Sequence, residues 1–432
     1  MKRRHAIKLI SLAALALCGA AANADEATLV HAGRVLADPA SGRVLRDQTL
    51  IIKDGHIAEI RAGFVREGGT VIDLSRHFVL PGLIDSHVHL CHENGPDDQL
   101  HKVKRTSADW AISAAGFAAK TLYAGFTTVA NVGDDNDAIF ALRDGIARGE
   151  IVGPRVLAAG SVVSPHGGDG DVHGFRPDVS AVIRRPTLCS GADDCRRVVR
   201  QHVARGADLI KIVATGSVLA DVAQGLGRQF TPAELEAIVE TAHSLGRIVT
   251  AHAHGTDGLN AALAAGVDSI EHGTFLDDES IRLFKARGGY LVPTLLAGET
   301  VTRWAEDPNS FLSPLVRQKA RKVGPQMIEA TRRAHAAGVR IAFGTDASVA
   351  PHGTNAREFT LLVQAGLSPL EAIQAATVHA ARHLHLENEV GSLAPGKWAD
   401  LIAVPGDPLK DVSQLEHVGF VMKAGKVFRN EL

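Results

Sequence analysis

The sequence predicts an α/β chain folded as a (β/α)8 TIM barrel, with a small β-sandwich domain built from both chain ends. Three observations predict it. Eight short apolar runs alternate with helical patterns through the middle of the chain. Turn-punctuated β-rich segments stand at the two ends. The composition is that of an ordinary globular protein: 432 residues, 45% hydrophobic and 22% charged. That balance excludes a disordered, collagen-like or coiled-coil chain.

The N-terminus reads as a leader. Lys2, Arg3 and Arg4 form a basic start, and residues 7–22 are apolar apart from Lys8 and Ser11. Ala22-Asn23-Ala24 then offers a small-residue cleavage site before Asp25. This is the pattern of a secretory signal peptide, so cleavage is expected after Ala24, with export to the periplasm or medium. The pair Arg3-Arg4 also fits a twin-arginine route, so the export path stays open. The expected organisation is a signal peptide at 1–24, then the N-terminal part of the small β domain at 25–82. The barrel follows at 83–387, and the C-terminal part of the small domain at 388–432.

In the first β segment, runs at 28–35, 48–53 and 57–60 are β-rich and separated by Asp38-Pro39 and Asp54-Gly55 turns. The last segment carries short apolar strands at 399–404 and 418–427. Between them the eight strands are expected at 83–90, 127–132, 155–159, 209–214, 248–253, 269–272, 290–295 and 340–346. Helical patterns fill most gaps, among them 108–123, 232–245, 257–265 and 314–337. Thr231 and Glu234 are spaced as a capping box. Residues 369–384 form an extra helix after the eighth unit. A doubly wound sheet ranks behind, because no Gly-x-Gly-x-x-Gly turn follows a first strand.

The net formal charge is −2, which argues against a nucleic-acid footprint. Histidine is unusually common: 21, more than Phe, Trp and Tyr together. That excess points to imidazole chemistry, either metal ligation or proton transfer. Beyond the leader three cysteines remain. Cys189 and Cys195 flank a polar loop where a disulfide is plausible in an oxidising compartment. Their spacing fits no standard zinc pattern. Cys91 is left as a thiol, expected to be a small buried residue.

The chemistry is read from polar residues that interrupt apolar strands at their C-terminal ends, where barrel active sites lie. Strand one ends with His87 and His89, which share a face because the strand period is two. Strand four places Lys211 within Leu209-Ile210-Lys211-Ile212-Val213. An ammonium there must lose its proton or find a partner. It can pair with a buried acid, form a Schiff base, or take up carbon dioxide as a carbamate. Strand five carries His252 and His254, strand six Glu271-His272-Gly273, and strand eight Gly344-Thr345-Asp346. Singly each is ambiguous; together they describe one site.

Two loops suggest substrate contacts. Residues 164–174 are glycine-rich and contain His166 and His173, both candidates. The loop lacks the Gly-Lys-Ser/Thr end of a phosphate loop, so nucleotide binding is not expected. Arg228, after strand four, and Arg357, after strand eight, are candidate grips for a substrate carboxylate. His92 falls off the strand alternation and is not assigned as a ligand.

This order of residues, with the stretches Leu80-Pro81-Gly82-Leu83-Ile84-Asp85-Ser86-His87-Val88-His89 and Gly391-Ser392-Leu393-Ala394-Pro395-Gly396-Lys397, resembles the amidohydrolase superfamily. Lys211-Ile212-Val213-Ala214-Thr215-Gly216, His252-Ala253-His254-Gly255 and Glu271-His272-Gly273-Thr274 look like its imidazolonepropionase-related branch. That branch includes Xaa-Pro and Xaa-Arg dipeptidases and enzymes that hydrolyse ochratoxin A. The resemblance implies two zinc ions. His87, His89 and Asp346 would hold one, His252 and His272 the other, with N6-carboxylated Lys211 as bridge. His254 matches the second histidine of its motif and is read as substrate-facing or as a support behind the ligands, although which of His252 and His254 is the ligand stays open, and Asp346 is placed to move a proton from water to the leaving amine. The implied reaction is cleavage of an amide bond to a C-terminal amino acid: a dipeptide, an N-acyl amino acid or an ochratoxin-like amide. A homo-oligomer is implied as well, with no membrane span after signal cleavage. The alternative within the superfamily is a mononuclear cyclic-amide hydrolase or deaminase. Those often lack the strand-four lysine, and the deaminases usually carry a glutamate just after the strand-five histidine, which this chain lacks. A non-catalytic exported metal-binding protein is the alternative of another class. A storage site would need neither Lys211 nor Asp346.

Overall fold

The computed structural model describes residues 27–184, 186–221 and 225–432. The expected signal peptide at 1–24 lies outside the described residues. Among the described residues, no helix is long and apolar enough to cross a membrane.

The two chain ends build one seven-stranded sheet. Its order is Lys426–Asn430, Phe420–Lys423, Leu401–Val404, Gly69–Pro81, Ala27–Val35, Leu45–Lys53 and His56–Ala62. The long strand Gly69–Pro81 was not expected from the sequence, because Asp73, Ser75, Arg76 and His77 interrupt its apolar pattern. It joins the two ends: it runs parallel to Ala27–Val35 and antiparallel to Leu401–Val404. Val30, Leu50, Ile52 and Leu74 from the first end pack in one cluster with Leu401, Phe420 and Met422 from the last. The expected strand at 418–427 is two strands, because Ala424, at φ 49°, and Gly425 turn the chain between them.

At Gly82 the chain leaves this sheet. A Cβ there would stand 2.1 Å from Oγ1 of Thr127, so only glycine lets the first inner strand approach its neighbour. Two parallel sheets follow. One holds Leu83–Val88, Phe126–Asn131 and Arg155–Ala158. The other holds Ile210–Val213, Val249–Ala253, Ser269–His272, Tyr290–Val292 and Arg340–Ile341. Most of these strands are buried along their whole length, as parallel strands covered on both faces must be. Backbone hydrogen bonds link the edge strands to segments that follow the strands of the other sheet. Ser86 N donates to Phe343 O and His89 N to Ala347 O; at the other side Val163 N donates to Lys211 O, and Val213 N to Val163 O.

Helices separate the strands, with ends set by local chemistry. Thr106 with Asp109, Thr231 with Glu234 and Ser368 with Glu371 form reciprocal capping boxes. Two expected strands are shorter than their apolar runs. Tyr290–Val292 stops early because Thr294 turns at φ 52° and Leu295–Glu306 is a helix. Beyond Arg340–Ile341 the chain keeps pairing with the first strand but bends at Asp346 (φ 56°). The expected helix at 369–384 carries a π turn at Ala375–His379. There Phe343 N donates to Ala375 O, an outside donor inserted in the helical ladder.

Candidate metal centre

Three donor atoms meet at the end of the first inner strand. His87 Nε2 lies 3.3 Å from His89 Nε2. Asp346 Oδ1 is 3.1 Å from the His89 nitrogen and 3.4 Å from the His87 nitrogen. A tetrahedral ion with bonds of about 2.0 Å separates its ligand atoms by about 3.3 Å. The donor spacing therefore fits a divalent cation. A second group, His252, His254 and His272, offers donor atoms within 4.8 Å of one another. The His87 and His272 rings, 5.4 Å apart, connect the two groups. Lys211 stands beside them on Ile210–Val213, 3% exposed. It forms no direct ion pair among the described residues; Glu271 and Asp346 act on it across a short space.

The hydrogen-bond partners of the imidazoles fix their tautomers. His89 Nδ1 is 2.6 Å from Gly133 O, and His252 Nε2 is 3.3 Å from Gly216 O. A carbonyl only accepts, so these nitrogens carry the protons; lone pairs are left on His89 Nε2, which faces His87 and Asp346, and on His252 Nδ1. His87 Nδ1 is held at 2.5 Å by the Glu271 carboxylate. His272 Nδ1 is 2.7 Å from Thr294 Oγ1, whose hydroxyl donates to Pro293 O and therefore accepts from the ring. Only His254, 2.7 Å from Thr274 Oγ1, has a partner that can act either way.

Electrostatics follow from burial. Desolvation lowers the pKa of Lys211, opposed by Glu271 and Asp346. Burial also holds His252 and His272 well below the usual imidazole value, helped at His252 by His254 and Lys211 and at His272 by His252 and His254. His254 is pushed down to about 3, chiefly by burial. Burial opposes ionisation of Asp346, yet His87 and His89 hold its carboxyl well below the ordinary range. Glu271, with His87, Lys211 and Thr250 around it, overcomes its burial and is lowered to about 2. The backbone is strained here too: His272, Thr294 and Asp346 have φ of 71°, 52° and 56°. Such conformations cost on the order of 1–3 kcal/mol each and persist where surrounding bonds enforce them.

A cavity of about 230 Å³ opens on the cluster, lined by His89, His252, His254, His272 and Asp346. It adjoins a polar vestibule of about 360 Å³, with which it shares His92, Asn94, Ser217 and Leu219. His173 lines the vestibule and bonds to Gly168 O. His166 does not reach either; it is exposed and lies 2.9 Å from Ser190 Oγ. Neither arginine lines these cavities. Arg228 is exposed, its backbone bridged to Thr215. Arg357 pairs with Glu299, 3.0 Å away. His92, not expected as a ligand, pairs with Asp134 at the cavity rim. The expected disulfide joins Cys189 and Cys195, and Cys91 is buried. Three contributors escaped the sequence reading. Glu271 and Thr294 orient the His87 and His272 rings, and Lys319 reaches from Pro314–Ala336 to Ser217 O (2.9 Å) and Ala220 O, holding a cavity wall.

Known proteins share this architecture. Residues 78–428 match the model of the amidohydrolase family. Ochratoxinase from Aspergillus niger is 33% identical over 445 residues, covering 94% of this chain and 88% of that protein. A crystal structure of a Xaa-Pro dipeptidase with methionine bound in its active site is 40% identical, with a TM-score of 0.89 over 94% of this chain and all of that one. Imidazolonepropionase from Sphingopyxis alaskensis is 26% identical, covering 86% of this chain and 90% of that protein. With this likeness running through nearly the whole chain, the protein belongs to the amidohydrolase family, in the branch of ochratoxinase and Xaa-Pro dipeptidase, and is a hydrolase of amide or peptide C–N bonds.

Proposed function

We propose that this protein is a binuclear, metal-dependent amidohydrolase that releases a C-terminal amino acid from a dipeptide, an N-acyl amino acid or an ochratoxin-like amide. One observation carries the reading: two groups of neutral or anionic donors face one cavity beside a buried lysine. In this reading His87, His89 and Asp346 hold one zinc ion, and His252 and His272 the other. Lys211, as N6-carboxylysine, would supply the anionic group between them. Burial favours the free amine of Lys211, which can add carbon dioxide and release a proton to give the carbamate.

When bound, the cations would lower the pKa of an attacking water and polarise the scissile carbonyl. Asp346 accepts the proton of that water at its carboxylate. It returns the proton to the amide nitrogen as the C–N bond breaks. His254, whose proton is not fixed by a carbonyl, contacts the substrate, and His173 meets its polar end from the vestibule.

The fold proposed to carry this is a (β/α)8 barrel at 83–387, supported by the backbone bonds that Ser86 and His89 make beyond Arg340–Ile341 and that Val163 makes with Lys211 and Val213. The seven-stranded sheet, from 25–82 and 388–432, would fold over itself as a small β-sandwich, with residues of both ends in one apolar cluster. Export after removal of 1–24 and assembly into a homo-oligomer belong to the same proposal.

The test is hydrolysis of dipeptides and N-acyl amino acids by protein stripped with a chelator and reloaded with zinc. Activity that follows two equivalents of metal supports the reading. Full activity at one equivalent would overturn the binuclear assignment. Tight metal binding with no hydrolysis across the panel would leave a metal-binding protein without this activity.

A further inference from the structure

The cavity over the His and Asp donor cluster is lined by polar and apolar side chains. Part of its wall is apolar: Val218, Ala297, Val301, Val323 and Met327, each less than a tenth exposed. It adjoins the vestibule, whose lining includes Asn94, Asp98, Asp169 and His173.

The apolar wall is stiff. It is formed where helix Leu295–Glu306 crosses helix Pro314–Ala336. The crossing is so close that a Cβ on Gly324 would stand 2.7 Å from Gly298 O. A Cβ on Gly298 would stand 2.8 Å from Met327 Sδ, so the missing side chain at 298 is what lets Met327 lie against this helix. Lys319, on the same helix as Met327, ties down the Ser217–Ala220 backbone that completes the wall. A wall of buried apolar side chains rewards burial of an apolar group against it and penalises a charged one.

We propose that this recess is the subsite for one apolar amino-acid side chain flanking the scissile bond, and that Met327, seated against Gly298, sets its size. The occupant is a side chain of the leucine, methionine or phenylalanine class. The charged ends of the substrate lie toward the polar vestibule. The inference rests on the amide-hydrolase reading and narrows it. The cavity is below the range of about 300–1,000 Å³ that houses a drug-sized ligand. It suits one side chain and the reacting amide, with the remainder of the substrate outside it.

The experiment uses the zinc-loaded full chain and two peptide series, one varied on the acyl side of the bond and one on the amine side. In each series Ala, Leu, Met, Phe, Asp and Lys are compared. In one of the two, Leu, Met and Phe are expected to exceed Asp and Lys in kcat/KM by at least about 10-fold, the scale of discrimination an apolar pocket achieves. That series names the side. Met327→Ala is expected to raise the Phe-to-Leu ratio several-fold, and Val301→Asp to collapse the Leu-to-Ala ratio. Ratios within one variant are insensitive to the fraction folded. A second readout is independent of turnover: free L-leucine should raise the melting temperature of the wild type more than L-aspartate does, and Val301→Asp should abolish the difference. Hydrolysis with no apolar preference, or with ratios unchanged in both variants, would overturn the subsite. Leucine-selective stabilisation without hydrolysis of any peptide would support the subsite and sink the hydrolase reading instead.

Discussion

The carboxylate of Glu271 lies 2.5 Å from Nδ1 of His87, although the two residues sit on different strands and 184 positions apart. Glu271 also accepts from Thr250 and Ser269 and is completely buried. The bond holds the His87 ring so that Nε2 faces His89 and Asp346. The next residue in the chain, His272, turns to the second donor group at φ 71°. One strand end thus orients a ring of one group while contributing a donor to the other.

Glu271→Gln should therefore weaken metal binding by roughly 10- to 100-fold, the usual penalty for losing the partner that orients a ligating imidazole. Its amide can still bond to His87 Nδ1 through oxygen but cannot balance the charge near Lys211. Metal content after dialysis against a buffered zinc series measures the effect. Retention equal to wild type would show that His87 needs no carboxylate.

Asp346→Asn tests proton transfer. The side chain keeps its shape, but its oxygen no longer carries the negative charge that His87 and His89 stabilise. A positioned acid–base group contributes roughly 10²–10⁴-fold, so kcat should fall by that order, with a much smaller change in KM. Metal content measured on the same sample separates a lost proton carrier from a lost ligand. Loss of metal equal to the loss of rate would reduce Asp346 to a ligand only.

How much of this was legible in the sequence depends on the kind of signal. His87, His89, Lys211, His252, His272 and Asp346 stood out because polar residues at strand ends break long apolar runs. The structure brings all six together, with His254 among them. Glu271 was visible as a residue but not as a partner: its role depends on a neighbour from a distant strand, which no spacing encodes. Thr294 acts through a left-handed backbone turn in a run, 290–295, that reads as plain strand. Lys319 lies in a helix with five other basic residues between Pro314 and Arg333, and nothing local marks the one that turns inward. Arg228 and Arg357 were chosen from loop position alone, and loops carry no periodicity to say which way a side chain faces.

Opening the Cys189–Cys195 disulfide should loosen the vestibule more than the metal cluster. Pro165 pairs with Cys189, and His166 N donates to Cys189 O, so the loop that carries Asp169, Asp171 and His173 is anchored to the bridged segment. The bridge in turn fastens that segment to helix Ala192–Ala204. Replacing both cysteines with serine should raise KM by several-fold and leave zinc content unchanged. The melting temperature should also drop, because a native disulfide contributes up to about 2–4 kcal/mol. An unchanged KM would mean that the loop holds its position without the bridge.

Glu358 predicts a pH dependence of stability that is separate from the metal site. Its carboxyl is fully buried and accepts from the backbone of Leu295 (2.9 Å) and Leu296 (2.6 Å), at the start of the helix that walls the cavity. Burial raises its pKa to about 8, against the pull of those two donors and with Asp85 and Glu299 adding to the rise. Between the unfolded value of 4.5 and about 8, the folded state holds a proton on Glu358 that the unfolded state has lost. The folded state therefore binds more protons, and stability falls as pH rises through this window. The contribution is complete below pH 4.5 and gone above about pH 8. At about 1.4 kcal/mol per pKa unit, its size is at most about 4–5 kcal/mol. Glu358→Gln cannot ionise, so its denaturant midpoint should decline less than that of the wild type between pH 5 and 8. Parallel pH profiles for the two proteins would show that Glu358 is charged in the folded state throughout.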